Sequence, residues 1–405
     1  MDGSMVIIGG GLAAAKTVEA LRDKGFDGAI TVLAAEAHLP YERPPLSKDL
    51  LAGKAEPAAL YPFDADWYAR HRVDVHTGVR ATKIDRAGRF VLTDQGSAVH
   101  YDKLVLATGS RPRPFPGDPE VAYLRTLDDA QALRARLGEG KSLLIVGAGW
   151  IGLEVAATAR AAGTQVTVLE PQPLPLVKIL GESIAELIAD LHRRHGVHLH
   201  LGTGVAGIDV GDAPGGRVRA DDGTVYEADT VLVGIGAIPE VGLAEAAGLA
   251  VSNGVDVDAG LATSDPNIFA VGDIANHDHP VLGRLRVEHW ATALHQPAVA
   301  AANLLGHHEQ YTRLPYFYTD QYEFGMEYRG HASGEDRVVI RGDTDTLDFL
   351  AFWLDADHRV LAGMNVNRWD DGDDIAALIA AGTPVDPDAL ADPAVRLDTL
   401  AGPLR

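Results

Sequence analysis

The chain has 405 residues, 46% of them hydrophobic, with a formal net charge of −22 and no cysteine. That length exceeds one compact core, so two or three domains are expected, and the acidity argues against general nucleic-acid or anionic-membrane binding. The missing cysteine removes a redox-active dithiol, a nucleophilic thiolate and Cys-ligated iron–sulfur or zinc sites.

From the N-terminus, MVII at 5–8 is long enough for a buried strand. Gly9, Gly11 and Ala14 follow at the spacing of a dinucleotide fingerprint. The first glycine permits a tight turn, and the second lets backbone N–H groups approach a pyrophosphate. The small third residue allows helix–strand packing. Residues 12–23 read as a helix whose positive N-terminus suits phosphate. Residues 30–34 read as a second strand, and Glu36 falls about where a ribose hydroxyl acceptor belongs. LVLA at 104–107 is another buried strand, and the Pro-rich RPRPFPG at 111–117 reads as a stiff interdomain crossing.

At 143 the pattern starts again. LLIV leads into Gly147, Gly149 and Gly152, a helix over 152–162, a strand over 165–169, and Glu170. VLVGIG at 231–236 and NIFAVGD at 267–273 are further strands. Glu288, His289 and Trp290 precede a helix reading ATALHQPAVAAANLL. After Leu314 the chain turns aromatic and alternating, which predicts antiparallel strands with a hairpin at 355–358. Residues from 370 onward predict helices behind that sheet. The expected division is a discontinuous domain (1–112 and 240–312), an inserted domain (113–239) and a C-terminal domain (313–405).

Two fingerprints in one chain commonly hold a flavin dinucleotide and a nicotinamide dinucleotide, with electrons passing between their rings. Without cysteine, a flavin here would deliver electrons directly to an acceptor outside the chain. No apolar run reaches the roughly 20 residues of a membrane span, and the N-terminus runs straight into the first strand. A cytoplasmic protein is expected. HRRH at 192–195 and HDH at 277–279 read as solvated loops or helix ends rather than metal ligands, and no metal site is expected.

The ordered set GGGLAA (9–14), YERPPLSK (41–48), ATGSRPR (107–113), GAGWIGLEVAA (147–157), GIGAIPE (234–240), NIFAVGD (267–273), VEHWATALHQ (287–296) and PYFYTDQY (315–322) resembles the FAD-dependent NADH:ferredoxin reductases. These putidaredoxin-reductase-like enzymes serve class I cytochrome P450s and ring-hydroxylating dioxygenases. The resemblance spans essentially the whole chain. It implies a glutathione-reductase-like α/β fold, with two Rossmann-type dinucleotide-binding domains and a C-terminal α/β domain. It implies FAD on the first fingerprint, NADH on the second, and a [2Fe–2S] ferredoxin as partner, with a cytochrome P450 or other oxygenase behind it.

By the same resemblance, Lys48 lies beside flavin N5 and pairs with Glu154, since a buried ammonium needs a counter-charge. Arg43, Thr108, Gly109, Arg125 and Asp273 join the FAD site, Asp273 at the ribityl hydroxyls. Glu288, His289 and Trp290 bring a helix N-terminus toward the flavin ring, where it stabilises negative charge; Trp290 packs nearby. Tyr318 stands where the family often has Trp. Gly147, Gly149, Gly152, Glu170 and Gly236 form the nicotinamide site. PQPLPLVK after Glu170 lacks the Arg that family members often carry, and Glu170 would repel a 2′-phosphate, so NADH is expected over NADPH. Arg284, Arg286, Arg313 and Arg329 are candidates for a local basic docking patch. Rubredoxin reductase and an apoptosis-inducing-factor-like redox sensor remain alternative readings.

Overall fold

A computed structural model describes residues 3–117, 120–210 and 215–400 of the chain. It divides into two units. Met1–Pro44, Glu56–Arg111 and Ala237–Pro315 form the first; Pro45–Ala55, Pro112–Gly236 and Tyr316–Arg405 form the second.

In the first unit, the apolar run SMVII becomes β1 (Ser4–Ile8), almost wholly buried as a central parallel strand should be. It pairs in parallel with β2 (Ala29–Ala34) on one side and the strand Lys103–Leu106 on the other. Val73–Thr77 and Ile268–Ala270 complete a five-stranded parallel sheet at its two edges. Between β1 and β2 runs α1 (Leu12–Asp23), the helix expected there. Ala13, Ala14 and Ala15 of α1 are buried, as are Ala300, Ala301 and Ala302 of the helix Trp290–Leu304 that packs against it. Small side chains let the two helices approach closely. The sheet Ala81–Asp85, Phe90–Thr93, Ala98–His100 and the hairpin Ala275–His279 with Gly283–Arg286 were not anticipated from the sequence.

The second unit repeats the motif. Parallel strands His198–Leu201, β4 (Gln165–Glu170), β3 (Ser142–Val146) and Thr230–Val233 lie in that order. β3 leads into α2 (Trp150–Ala161), and α3 (Glu182–Arg194) follows β4. Leu51, from the Pro45–Ala55 segment, is buried in one cluster with Leu133, Leu143 and Leu153, which fixes that segment to this unit.

The aromatic C-terminal stretch forms an antiparallel sheet in the order β5 (Tyr316–Gln321), β6 (Phe324–Gly330), β9 (Val360–Val366), β8 (Asp348–Leu354), β7 (Arg337–Asp343). The period of two sorts β8 into two cores. Phe349, Ala351 and Trp353 join the cluster of the α2 side, while Leu350, Phe352 and Leu354 pack with Ile375 and Leu378 of α4 (Gly372–Ala381). The expected rear helix is therefore present. The predicted hairpin turn lies at residues 355–359, closed by Asp355 N–H to the Arg359 carbonyl at 3.0 Å.

Candidate active site

Both glycine turns take the shapes their spacing demands. Gly9 has φ +143° and Gly147 φ +103°, backbone that L side chains rarely adopt. A Cβ on Gly9 would fall against the Ala107 carbonyl, and one on Gly147 would come within 2.5 Å of the Gly234 carbonyl oxygen. The third positions differ. Ala14 tolerates its methyl while fully buried, whereas a Cβ on Gly152 would strike the Gly147 carbonyl. Gly11 and Gly149 open α1 and α2, and neither helix has a side-chain cap or an acid in its first turn. A Cβ on Gly11 meets nothing within 4 Å, and one on Gly149 has its nearest neighbour at 3.9 Å. Open space before an uncapped, acid-free helix end fits a dinucleotide pyrophosphate.

The acids that end the second strands are both held. Glu36 accepts from the Tyr41 hydroxyl at 2.5 Å and the Arg43 guanidinium at 2.8 Å. Burial opposes the Arg43 charge, but Tyr41 and Glu36 outweigh it and hold its pKa above the ordinary value. Glu170 accepts from the Ala148 N–H at 2.7 Å and the Gln172 N–H at 2.9 Å, so it bridges to the second glycine turn. Gly236, at φ +110°, accepts the Arg113 N–H at 2.9 Å.

Elsewhere in the first unit, the Thr108 hydroxyl donates to the Glu240 carbonyl at 2.9 Å, and the Gly109 carbonyl accepts the Glu240 N–H at 2.9 Å. Asp273, in the turn Gly272–Ile274, accepts from the Ser110 hydroxyl at 3.1 Å. The extended backbone of His289 opens the Trp290–Leu304 helix, whose first turn also lacks an acid. The Trp290 indole N–H donates to Glu42 at 3.0 Å, and Glu288 pairs with Arg286. Arg125 belongs to the second unit, where its backbone N–H donates to Asp129 at 3.0 Å. Three arginines of the candidate docking patch meet acids within the fold: Arg284 faces Asp256, Arg286 pairs with Glu288, and Arg329 pairs with Glu327.

The second unit brings Lys48 and Glu154 together. Lys48 Nζ lies 2.7 Å from Glu154 Oε2, and Glu154 is only 4% exposed. The Ser47 hydroxyl donates to the same oxygen at 2.5 Å, and the Thr319 hydroxyl donates to Oε1 at 2.5 Å. One turn further along α2, Thr158 donates to the Ser47 carbonyl at 2.8 Å, so residues 154 and 158 share the face that grips the 45–55 segment. The ammonium also lies 5.5 Å from the Tyr318 ring centroid, a cation–π distance. Trp150 packs edge-on against Phe317 at 4.8 Å.

Residues 3–297 match the family described as pyridine nucleotide-disulphide oxidoreductase, and residues 316–401 match the one described as reductase C-terminal. The chain belongs to the pyridine nucleotide-disulphide oxidoreductases. Within them it is 43% identical to the ferredoxin–NAD(+) reductase component of the anthranilate 1,2-dioxygenase system of Burkholderia cepacia, over 97% of this chain and 98% of that protein. It is 39% identical to putidaredoxin reductase of Pseudomonas putida, over 97% and 96% of the two chains. The reductase in a crystal structure of the covalent putidaredoxin reductase–putidaredoxin complex superposes with a TM-score of 0.93 at 38% identity, covering 99% of both chains. These similarities put the chain in the ferredoxin–NAD(+) reductase branch, and the fold expected from the sequence is the one found. The disulphide of the family's name has no counterpart here, because the chain has no cysteine.

The sequence reading of the histidine-rich spots needs correction. His192, His277 and His279 are all buried, at 0%, 2% and 2% exposure, not solvated. His192 packs because α3 presents it inward beside Leu191 and Ile188; His277 and His279 alternate inward along a strand. Among the described residues no group of acids and histidines is arranged to hold a metal. Ser47 and Thr158 were missed. The signal for Thr158 was its place four residues after Glu154, on the same face of the helix.

Proposed function

We propose that this chain is an NADH-dependent ferredoxin reductase. It oxidises NADH at an FAD it carries and reduces a [2Fe–2S] ferredoxin serving a cytochrome P450 or other oxygenase. The observation that carries this reading is the pair of open, uncapped, acid-free dinucleotide cradles in a chain without cysteine. When bound, FAD supplies the conversion from a two-electron donor to a one-electron acceptor.

The residues divide the remaining work. Gly9, Gly11, Ala14 and Glu36 bind the ADP half of FAD, with Arg43 orienting Glu36. Thr108, Gly109, Arg125, Asp273, Glu288, His289 and Trp290 are proposed for the rest of that cofactor. Gly147, Gly149, Gly152, Glu170 and Gly236 bind NADH. Lys48, paired with Glu154, is the proposed cation for flavin N5, where positive charge favours an electron-rich ring. The hydride step needs no protein acid or base; the chain orients the two rings and excludes water. No helix among the described residues is long and apolar enough to cross a membrane. The cytoplasm is the compartment proposed for this exchange.

The test is NADH-dependent cytochrome c reduction by FAD-loaded protein, with and without a [2Fe–2S] ferredoxin, and with ferricyanide as the control acceptor. Strong stimulation by ferredoxin is expected. Good ferricyanide turnover without stimulation would overturn the partner. Slow turnover with both acceptors would move the reading to a redox sensor.

A further inference from the structure

The HRRH segment closes α3, and its first histidine ends a buried chain of hydrogen bonds. His192 Nε2 lies 2.8 Å from Gln321 Oε1, Gln321 Nε2 lies 3.2 Å from Thr319 Oγ1, and Thr319 Oγ1 lies 2.5 Å from Glu154 Oε1. All four residues are at most 4% exposed. The direction of this chain is forced by chemistry. A carboxylate can only accept, so the Thr319 hydroxyl donates to Glu154. The Thr319 oxygen then accepts from the Gln321 amide. The Gln321 oxygen therefore faces His192, which must donate from Nε2. Every donor in the series points at one carboxylate.

We propose that His192 is a positioning residue, which through Gln321 and Thr319 holds the Glu154 carboxylate in the orientation that pairs it with Lys48. The inference rests on the reading of Lys48 as the cation of the flavin site.

The far end of the relay supports this. His192 Nδ1 is buried with no hydrogen-bond partner among the described residues, so a second ring proton would have no acceptor. Burial accordingly pushes the His192 pKa down to about 4, which keeps the ring neutral and its Nε2–H committed to Gln321. Other groups face the two ends. Around His192 are Tyr322, edge-on at 5.3 Å, and His195, which stacks on Tyr322 at 3.7 Å and pairs with Glu323. Around Glu154 are Lys48, Ser47 and Asp320, whose carboxyl is raised by burial, with Lys48 opposing and Glu154 and Asp49 adding.

Cutting the relay leaves the Gln321 oxygen without a donor and frees Gln321 and Thr319 to turn from Glu154, so the carboxylate that pairs with Lys48 loses its alignment. One hydrogen bond to a charged group is worth on the order of tenfold. The test uses FAD-loaded protein reduced by NADH in single turnover, with no ferredoxin, at pH 8. The midpoint potential and absorption spectrum of the bound flavin are followed in the same samples, and Lys48→Met is measured beside the relay variants. His192→Leu is expected to lose about tenfold in reduction rate, with unchanged NADH affinity and a lowered flavin potential. His192→Gln, whose amide can donate where Nε2 did, is expected to restore the wild-type rate and potential. If His192→Leu fails to fold, Gln321→Met cuts the same chain at its middle and should give the same readings. A Lys48→Met variant with the wild-type rate and potential would overturn the Lys48 reading and the proposal with it. With Lys48→Met slowed, folded, flavin-loaded Leu or Met variants of the relay with the wild-type rate and potential would overturn the proposal alone. So would a His192→Gln variant that behaves like His192→Leu. Failure of the ferredoxin reading would appear in the cytochrome c assay and leave these measurements untouched.

Discussion

Replacing Glu154 by Gln should both loosen the second unit and slow flavin reduction. In the native protein one carboxylate satisfies Lys48, Ser47 and Thr319 at 2.7, 2.5 and 2.5 Å. The Lys48 side chain is 16% exposed and that of Glu154 5%, so the pair is shielded from water. Removing one partner of such a pair costs about 3–5 kcal/mol, because the remaining charge is left buried. The Gln oxygen can still serve one or two of the three donors, which puts the expected loss near 3 kcal/mol. For a unit of this size that corresponds to a fall in Tm of about 6–12 °C. Calorimetry on the holoprotein measures it. Adding Lys48→Met should recover about half or more of the loss, since the stranded ammonium is then gone. A loss under about 1 kcal/mol, or a double variant whose cost is the sum of the singles, would refute a buried, coupled pair.

Gly11→Ala should leave the fold intact, because its Cβ enters open space, yet lower the flavin-to-protein ratio after purification; a normal ratio would show that this space is not the pyrophosphate cradle. Gly152→Ala, by contrast, pushes a methyl onto the Gly147 carbonyl and should reduce NADH affinity at least tenfold in a titration. The His192 ring, with its pKa pushed down to about 4 by burial, ties stability to acid. Between about pH 6.5 and 4 the unfolded chain binds a proton the native one refuses, so stability present above pH 6.5 is lost as pH falls, by up to about 3 kcal/mol. His277, also pushed down to about 4 by burial, acts with the same sign, and urea unfolding at pH 7.5 and 5 should show the slope. Finally, kcat/KM should favour NADH over NADPH by about a hundredfold or more, and Glu170→Ala should narrow the ratio by removing the charge that meets a 2′-phosphate.

Much of this architecture was legible because it depends on short-range rules. The residues of each glycine turn, the apolar strand before it and the acid after the second strand all lie within about 30 residues of one another. Helix 12–23, which follows directly on the glycine turn, was read to its ends. The Lys48–Glu154 pair spans 106 residues, and only the resemblance pointed to it. The relay was harder still. Thr319 and Gln321 stand two apart on β5 and so share a face, a pattern visible in FYTDQ, but nothing local says that this face meets α2 and α3. The charged look of HRRH concealed its inward histidine. A helix end can be solvated at Arg193 and buried one residue earlier, and composition averages over that difference.

Glu154 lies five residues beyond Gly149 on α2, about 7 Å along a single rigid rod. The end of that rod is the proposed nucleotide cradle, and its second turn secures the lysine. The loop 147–152 includes the first three residues of α2, so a cofactor-preference graft there also acts on the helix that carries Glu154. A piece that keeps the pair intact is the whole helix, together with the 45–55 segment it grips.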